Sequence, residues 1–494
     1  MWAGRTVRPY SPPSTSRWRR GGAVLARTHD LIVIGAGAAG LTAAGGCARL
    51  GLRVALVERD RMGGECLNTG CVPSKALLAA AHRAQAVREA GRLGILAGDP
   101  AVDFGHMRAH VRAAIETIAP HDSEERFRAW GVEVIRGEAR LLDKRGRVEV
   151  GGRVLEAPRI VLATGSRPAV PEVEGLAGVP FLTNETLWDL DRLPEHLIVL
   201  GGGPAGMEMA QAFRRLGAAV TVIASGRPFP RDDPEAAALV LARLEAEGVA
   251  IRHGTRATRV ARTGTGLRVE TGEGWAVEGS HLLIAAGRRA AVEGLGLEAA
   301  GVALDPGGIR VDARRRTTNP RILAIGDCRD GPRFTHAAGH EGTVAVMNIG
   351  LGLPAAVKDA ALPWVTFTDP ELAQVGLTEA AARERHGRVE VHREGFAEND
   401  RAVAEGDTAG FVKVIKARGR VAGATIVGAG AGEMVLPWSL AIAGKASPWA
   451  ISGAVVPYPT RSELSRAVAF AGYESRIFGP WARRWAGVVA RLRR

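Results

Sequence analysis

The chain has 494 residues, which at about 150 residues per domain predicts about three domains. Hydrophobic residues make up 46% of it, so cores of ordinary size can form and disorder throughout is excluded. Four cysteines are too few for a secreted scaffold held by disulfides, and no apolar run reaches the 18 or so residues of a membrane span. The composition predicts a soluble, multidomain, cytoplasmic protein.

The net charge of +13 is concentrated at the two ends of the chain. Residues 1–29 contain six arginines and residues 481–494 contain five, with no acidic residue in either segment. Without these eleven arginines, 54 basic side chains remain against 52 acidic ones. We therefore do not expect the whole protein to bind nucleic acid.

Residues 1–29 are predicted to form a basic, disordered leader or an over-extended start. The segment carries several prolines and serines and no helical periodicity. An Arg-rich, acid-poor transit peptide is one alternative, and the pair Arg19-Arg20 suggests twin-arginine export as another. No apolar segment of the kind that an export signal needs follows that pair before Arg27.

Residues 31–58 carry a dinucleotide-binding fingerprint. An apolar strand leads into Gly35, Gly37 and Gly40, a helix follows, and a second strand ends at Glu58. Such glycines allow a tight turn, close approach of the backbone to a pyrophosphate and close packing of helix on strand, while the helix N-terminus favours the phosphates. Glu58 is predicted to accept hydrogen bonds from ribose hydroxyls.

A glycine-rich segment after this unit carries Cys66 and Cys71, five residues apart and entering a predicted helix. A thiolate near a helix N-terminus has a lowered pKa and reacts readily, so the pair is predicted to be redox-active. Half of a zinc site, with His82 as the local candidate ligand, and a pair of buried structural thiols are the alternatives. We predict no metal site, and we expect Cys47 and Cys328 to be inert core residues.

The fingerprint returns 166 residues later, in residues 197–224. Gly201, Gly203 and Gly206 stand at the same offsets as the first three glycines. Two such units predict two dinucleotides, one permanently bound and one exchanging. A duplicated structural core with one inactive site is the alternative.

The second unit differs from the first at the end of its second strand. Ala224 stands where the first unit has Glu58, and Arg227 and Arg231 follow. An acidic residue there would repel a 2′-phosphate, whereas nearby arginines accommodate one. We therefore predict NADP(H) as the exchanging cofactor, with Arg227 near the phosphate and NAD(H) as the alternative.

Several motifs together resemble the pyridine nucleotide–disulfide oxidoreductase family of FAD enzymes. They are the two fingerprints, GGECLNTGCVPSK (63–75), IVLATGSRP (160–168), LLIAAGRRA (282–290), TTNPRILAIGDC (317–328) and LPWVTFTDPELAQVGLTEAAAR (362–383). The resemblance covers about residues 30–475. It implies an α/β fold with two Rossmann-like domains and an α+β dimerisation domain, and it implies a homodimer.

The resemblance also implies domain boundaries and binding residues. The expected domains are an FAD domain (30–168 and 294–355), an NAD(P) domain (169–293), an interface domain (360–475) and a basic amphipathic tail (476–494). The expected FAD residues are Gly35, Gly37, Gly40, Glu58, Lys75, Thr164, Gly165 and Asp327, and the NAD(P) residues are Gly201, Gly203, Gly206, Glu208 and Gly287. By the family pattern, Cys71 lies against the flavin as the charge-transfer thiolate and Cys66 is the exposed interchange thiol. Lys75 and Glu208 are expected to pair beside the flavin N5.

Near the C-terminus, Tyr458 stands where lipoamide and glutathione reductases have the histidine of a His-Pro-Thr-x-x-Glu motif, while Glu463 is retained. Unperturbed pKa values near 6.5 for histidine and 10 for tyrosine make tyrosine a poor base at neutral pH. The alternative is that Tyr458 only packs and another group moves the proton. Mercuric reductase also has tyrosine here, so the chain is similar to that branch.

The chain lacks residues that deliver and bind the metal ion in mercuric reductase. No cysteine follows Cys328, and Phe181 stands where a tyrosine lines the mercuric site, so efficient Hg(II) reduction is not expected. We predict transfer of electrons from NADPH through FAD and the cysteine pair to a small thiol-reactive acceptor. Dihydrolipoamide dehydrogenase is the alternative enzyme, and a redox-sensing or metal-binding flavoprotein of low turnover is the second alternative.

The C-terminal tail is predicted to be an amphipathic helix. Its apolar face consists of Trp481, Trp485, Val488 and Leu492. Arginines at 483, 484, 491 and 494 lie mostly off this face. We expect the face to dock on the protein's own surface, with weak contact to an anionic membrane surface as the alternative.

Overall fold

A computed structural model describes residues 28–264 and 266–493. The predicted leader therefore lies outside the described residues except for Thr28 and His29, as does the terminal Arg494. Within the described residues, no helix combines the length and the apolar character needed to cross a bilayer.

The first fingerprint lies in a five-stranded parallel sheet. In spatial order the strands are Ile322–Ala324, Arg159–Leu162, Leu31–Ile34, Val54–Glu58 and Val132–Arg136. The neighbouring strands Leu31–Ile34 and Val54–Glu58 are apolar runs without polar alternation, because both faces of the sheet are covered. Helix Ala38–Arg49 packs on one face together with helix Thr335–Ile349.

The second fingerprint lies in a four-stranded parallel sheet. Its strands are, in order, Val249–His253, Ala219–Ala224, His196–Leu200 and His281–Ile284. Leu31 pairs with Val54 in the first sheet, and Leu197 pairs with Val220 in the second. The two repeats therefore share strand register as well as sequence spacing, which makes them two copies of one structural unit.

Small antiparallel sheets flank these units. Two three-stranded sheets comprise Ala139–Leu141, Arg147–Val150 and Arg153–Glu156, and Ala257–Arg262, Leu267–Thr271 and Ala276–Gly279. The two-stranded pairs are Ser166–Pro168 with Arg288–Ala290, and Leu304–Asp305 with Gly308–Ile309. The first of these pairs joins the chain where it leaves and re-enters the first unit, so it holds the two units together.

The C-terminal region is built on a five-stranded antiparallel sheet. In order, its strands are Pro363–Thr366, Glu371–Gly376, Arg420–Gly428, Phe411–Ala417 and Glu390–Gly395. Its core is formed by apolar side chains of the central strands with the fully buried Trp438. The predicted fold class, two Rossmann-like units followed by an α+β region, is confirmed.

The α-helices connect these sheets and cover their faces. They are Ala38–Arg49, Gly64–Asn68, Cys71–Glu89, Phe104–Ile118, Glu124–Ala129, Pro204–Leu216, Pro234–Ala246, Thr335–Ile349, Glu379–His386, Asp400–Glu405, Ala431–Met434, Leu436–Ile442, Pro448–Ser452, Ser462–Ala471, Glu474–Ile477 and Pro480–Leu492.

Candidate active site

The glycines of both fingerprints are required by the backbone. Gly35 and Gly201 have φ of +104° and +132°, a region that residues with a Cβ rarely adopt. A Cβ on Gly40 would overlap the carbonyl oxygen of Gly35, and one on Gly206 would overlap that of Gly201. The first and third glycines of each copy therefore serve the turn and the packing of helix on strand, as the sequence predicts.

The middle glycine of each copy leaves a helix N-terminus open. Gly37 precedes helix Ala38–Arg49 and Gly203 precedes helix Pro204–Leu216, and neither helix has a side-chain cap. Asp233, in contrast, caps helix Pro234–Ala246 through its carboxylate. Uncapped amides at the N-terminus of a helix suit phosphate groups, so both cradles fit the pyrophosphate of a dinucleotide.

Glu58 is held against the first glycine turn. Its Oε2 accepts from the Ala36 amide at 2.6 Å and its Oε1 from the Asp60 amide at 2.8 Å. A cavity of about 400 Å³, lined in part by Gly35, Glu58 and Thr164, opens at the carboxyl ends of the parallel strands. In open parallel sheets this is the edge where ligands bind, so the cavity fits part of FAD.

The cysteine pair lies on two consecutive helices, with Cys66 in Gly64–Asn68 and Cys71 at the start of Cys71–Glu89. Cys71 is the first residue of its helix, and both cysteines are free. Cys71 Sγ also lies 3.1 Å from Thr335 Oγ1, at the start of helix Thr335–Ile349. Two helix N-termini thus meet at one sulfur, and the structure brings the two predicted redox residues together.

The surroundings of the two thiols drive their pKa values apart. Hydrogen bonds from Cys66 and Thr335 and the positive charge of Lys75 lower the pKa of Cys71. The same sulfur–sulfur hydrogen bond and burial raise the pKa of Cys66, because a second negative charge beside Cys71 is unfavourable. These directions favour Cys71 over Cys66 as the thiolate of the dithiol state.

Lys75 and Glu208 form the predicted pair. Lys75 Nζ lies 2.7 Å from Glu208 Oε2, and Oε1 of the same carboxylate accepts from the Phe367 amide at 2.9 Å. The Glu208 side chain is only 6% exposed, whereas that of Lys75 is 39% exposed. The pair thus connects the cysteine helix, the second fingerprint helix and the residue that follows strand Pro363–Thr366 of the C-terminal sheet.

A polar network beside Cys66 was not predicted from the sequence. Asp327, the predicted flavin-ribityl aspartate, accepts from Ser166 Oγ at 2.8 Å, and Ser166 Oγ in turn accepts from Arg288 Nε at 2.7 Å. Arg288 also pairs with Glu65, whose other oxygen accepts from Asn184 Nδ2 at 2.7 Å. Residues 119 to 223 positions apart meet here, and no local pattern indicates such a meeting.

Thr164, Gly165 and Gly287 lie where the chain crosses between the two units. Thr164 Oγ1 donates to the Ala291 carbonyl at 2.7 Å, and the Ala291 amide donates to Gly165 O at 3.0 Å. Gly287 has φ of +119° and accepts from the Ala169 amide at 2.9 Å. All three thus shape the crossover, and their roles in cofactor binding remain predictions.

The second fingerprint has no acidic side chain at its strand end. A Cβ on Gly202, which corresponds to Ala36, would lie 2.8 Å from Ala224 Cβ. Arg227 is turned towards its own loop, with Nη2 at 3.3 Å from the carbonyl oxygens of Pro230 and Asp232. The unit therefore lacks the carboxylate that Glu58 supplies in the first copy, and the Arg227 role remains a prediction.

Tyr458 and Glu463 lie away from the cysteines of the same chain. Tyr458 is 71% exposed and donates through its hydroxyl to Asp400 Oδ2 at 2.9 Å. Glu463, at the start of helix Ser462–Ala471, has Arg466 at 4.0 Å. Among the described residues, neither side chain has a hydrogen bond or ion pair with the cysteine helix.

The other two cysteines are core residues, as predicted. Cys47 and Cys328 have no solvent exposure, and burial raises the pKa of each thiol to about 11. His82, the candidate zinc ligand, has a buried Nε2 without a hydrogen-bond partner in the described chain. In that same part of the chain, no group of three or more His, Cys, Asp or Glu side chains is placed to hold a metal ion.

Comparison with known proteins agrees with this geometry. Residues 29–342 match the model of the pyridine nucleotide-disulphide oxidoreductase family, and residues 362–468 match that of its dimerisation domain. Mercuric reductase of Streptomyces lividans is 37% identical over 89% of this chain and 95% of its own length. Dihydrolipoyl dehydrogenase of Thermus scotoductus is 38% identical over 88% of this chain and 96% of its own length.

Solved structures of flavoprotein disulfide reductases and of a related protein also superpose on this chain over most of its length. LpdA of Mycobacterium tuberculosis superposes with a TM-score of 0.82 at 30% identity, covering 89% of this chain and 99% of its own. The Cu(II) complex of the HOCl-induced flavoprotein disulfide reductase RclA of Escherichia coli has a TM-score of 0.80 at 26% identity, covering 88% of this chain and 98% of its own. The chain belongs to the pyridine nucleotide–disulfide oxidoreductase family, whose members are FAD-dependent oxidoreductases that use pyridine nucleotides.

Proposed function

We propose that this protein uses NADPH to reduce a small thiol-reactive acceptor through the Cys66–Cys71 pair. One observation carries the proposal: Cys71, at a helix N-terminus, interacts with Cys66 and lies one helical turn from Lys75, which is paired with Glu208 of the second fingerprint helix. The redox pair is thus connected to both nucleotide-binding units.

The residues that would hold FAD are those of the first unit and its crossover. They are Gly35, Gly37, Gly40, Glu58, Lys75, Thr164, Gly165 and Asp327. Bound there, FAD supplies the two-electron chemistry that links a nicotinamide to a disulfide. The residues that would hold the nicotinamide nucleotide are Gly201, Gly203, Gly206, Glu208, Arg227 and Gly287. The absence of an acid at Ala224 supports NADPH over NADH.

The chain's own sulfurs perform the output step. With a disulfide acceptor, Cys66 gives its proton to the Cys71 thiolate and attacks one acceptor sulfur, which forms a mixed disulfide and expels the first thiolate. The expelled thiolate takes the proton from Cys71. The Cys71 thiolate then attacks Cys66 Sγ, closes the Cys66–Cys71 disulfide and expels the second thiolate, so the acceptor has gained two electrons. The raised pKa of Cys66 makes a base necessary for the first step, and Cys71, whose pKa is lowered, is the neighbouring group that can act as one.

The environment of Tyr458 favours the mercuric reductase–like branch over dihydrolipoamide dehydrogenase. The hydrogen bond to Asp400 and its negative charge raise the pKa of Tyr458 further above neutrality. A tyrosine in this state is a poor base for dithiol–disulfide interchange. The acceptors we propose are an oxidised small thiol, a soft metal ion or a quinone-like electrophile, without efficient reduction of Hg(II).

We propose that the protein works as a homodimer in which Tyr458 and Glu463 of one subunit complete the cysteine site of the other. The interface domain, residues 360–475 in our proposed division, exposes large apolar side chains: Leu436 (62%), Trp449 (54%) and Val455 (101%). A second copy covering them would remove this apolar surface from water. The cytoplasmic location stays a prediction.

Reductive titration of the purified holoprotein under anaerobic conditions tests the redox pair. Dithionite should deliver two two-electron equivalents to the wild type and only one to Cys66→Ser or Cys71→Ser. Uptake of a single equivalent by the wild type would contradict a disulfide that communicates with the flavin.

An acceptor screen with NADPH and with NADH, run beside Cys66→Ser, then tests the function. Turnover lost in Cys66→Ser identifies dithiol-dependent reduction, whereas turnover that persists indicates direct transfer from the flavin. Rapid NAD-linked oxidation of dihydrolipoamide would instead assign the protein as dihydrolipoamide dehydrogenase. Tight acceptor binding with no turnover would favour a redox-sensing or metal-binding flavoprotein.

A further inference from the structure

Helix Pro480–Leu492 at the C-terminus is not packed into the protein. None of its residues is buried in the chain, and the predicted docking on the protein's own surface is therefore wrong for its apolar face. Trp481 is 77% exposed, Trp485 58% and Leu492 80%. The cost of leaving such side chains in water indicates that another surface covers them.

The apolar side chains of this helix form one continuous stripe. At 100° per residue, Trp481, Trp485, Val488 and Leu492 fall within about 60° of one another on the helix. The rings of Trp481 and Trp485 are stacked, with centroids 6.3 Å apart and planes 5° apart. The stripe is therefore a flat aromatic and aliphatic face one side chain wide.

Arginines border this stripe. Arg484 precedes Val488 by one turn and Arg491 follows it by three residues, so both lie along one edge. No acidic residue follows Glu474 in the sequence, and none of these arginines is in an ion pair with a described acidic residue. The helix thus presents an apolar centre with an uncompensated positive border.

We propose that helix Pro480–Leu492 docks in the plane of an anionic lipid surface, with the tryptophan stripe at the acyl boundary and the arginines among the headgroups. Tryptophan suits this position because its ring is amphipathic, and arginine can keep its charge in the headgroup layer while its stem lies along apolar surface. An anionic bilayer offers acyl chains to the apolar stripe and negative headgroups to the arginines that border it.

The occupant we commit to is lipid rather than a second copy of the chain. In an antiparallel isologous contact the edge with Arg484 and Arg491 would face the same edge of the second copy, and like charges would oppose that contact. The proposal does not depend on the acceptor, so its failure would leave the redox function untouched.

Sedimentation of the full-length holoprotein with lipid vesicles tests the proposal. We expect binding to phosphatidylcholine vesicles that contain phosphatidylglycerol, little binding to phosphatidylcholine alone, and weakening by salt. Trp481→Ser/Trp485→Ser should lower the affinity about tenfold or more, and Arg484→Glu/Arg491→Glu should lower it similarly.

The matched control is Arg112→Glu/Arg314→Glu, which changes the net charge equally at exposed positions of the body. It should bind the vesicles like the wild type, and all variants should keep NADPH-dependent activity and the thermal midpoint. Three results would overturn the proposal: no binding to anionic vesicles, equal loss in the control, or a lower oligomeric mass of the tryptophan variant in light scattering. The last would assign the stripe to contact between subunits.

Discussion

Lys75 Nζ lies 2.7 Å from Glu208 Oε2, and this ion pair joins the helix that begins at Cys71 to the helix of the second fingerprint. The Lys75 ammonium also lies 4.4 Å from the centre of the Phe367 ring. One turn along the helix from the reactive sulfur, three parts of the chain therefore converge on one positive charge. That charge acts on the Cys71 thiolate through the Coulomb interaction.

Lys75→Met should raise the pKa of Cys71. A nearby positive charge favours the thiolate. Removal of the Lys75 charge therefore lowers the fraction of Cys71 present as thiolate, most strongly at pH values near the pKa of this residue. Because Lys75 is partly exposed and solvent screens its charge, we expect a rise of less than about one unit. The ultraviolet absorbance of the thiolate in the reduced protein, followed against pH, measures it. Lys358→Met, at an exposed position, is the control, and an unchanged titration in Lys75→Met would contradict the expectation.

Thr335→Val should raise the pKa of Cys71 by more than Lys75→Met does. The substitution keeps the shape of the side chain and removes the hydroxyl that lies 3.1 Å from Cys71 Sγ. A hydrogen bond to a charged group contributes about 1.5–3 kcal/mol, which corresponds to about one pKa unit or more. Thr335→Ser keeps a donor and should titrate like the wild type. Equal shifts in the two variants would show that packing rather than the hydroxyl is responsible.

Much of the site could be predicted because its signals are local. Gly35 and Gly201 are required by turns a few residues long, and Cys66 and Cys71 are five residues apart on two consecutive helices. The partners of these residues could not be predicted in this way. Thr335 is 264 positions from Cys71, and only the docking of two helices brings them together.

The C-terminal helix shows a different failure of prediction. Its amphipathic period predicts a helix with one apolar face, and the helix is present. Period alone does not say what covers that face, because the spacing of Trp481 and Trp485 is the same for a protein surface and for a lipid surface. The structure shows that the surface of the same chain does not cover this face, since Trp481 is 77% exposed.

Gly203→Ala and Gly206→Ala should separate cofactor binding from folding. A Cβ on Gly203 has no atom within 4 Å, so the fold should tolerate it, while the methyl group would stand where the backbone must approach a pyrophosphate. A Cβ on Gly206 overlaps the Gly201 carbonyl, so this variant should lose thermal stability. We expect Gly203→Ala to raise KM for NADPH about tenfold or more with an unchanged thermal midpoint. An unchanged KM would exclude nucleotide binding at this turn.

Ala224→Glu should shift the cofactor preference towards NADH. The new carboxylate would stand where Glu58 stands in the first unit and would repel a 2′-phosphate, at a cost of about 1–3 kcal/mol or about tenfold to a hundredfold in kcat/KM. The ratio of kcat/KM for NADPH and NADH measures the shift, and Ala224→Gln, without the charge, is the control. A ratio that moves equally in both variants would assign the effect to size.

Tyr458→Phe should have little effect on acceptor reduction, whereas Tyr458→His should increase dihydrolipoamide oxidation. The Asp400 hydrogen bond and charge hold the Tyr458 pKa above its ordinary value, so the phenol stays protonated near neutral pH and removing its hydroxyl should change acceptor reduction less than about threefold. A histidine titrates near 6.5, and Tyr458→His should raise dihydrolipoamide oxidation about tenfold or more, with activity increasing as the pH passes that value. The profiles of kcat/KM against pH for the two variants decide this. A loss in Tyr458→Phe as large as that in Cys66→Ser would show that the phenol itself acts on the proton of the interchange thiol.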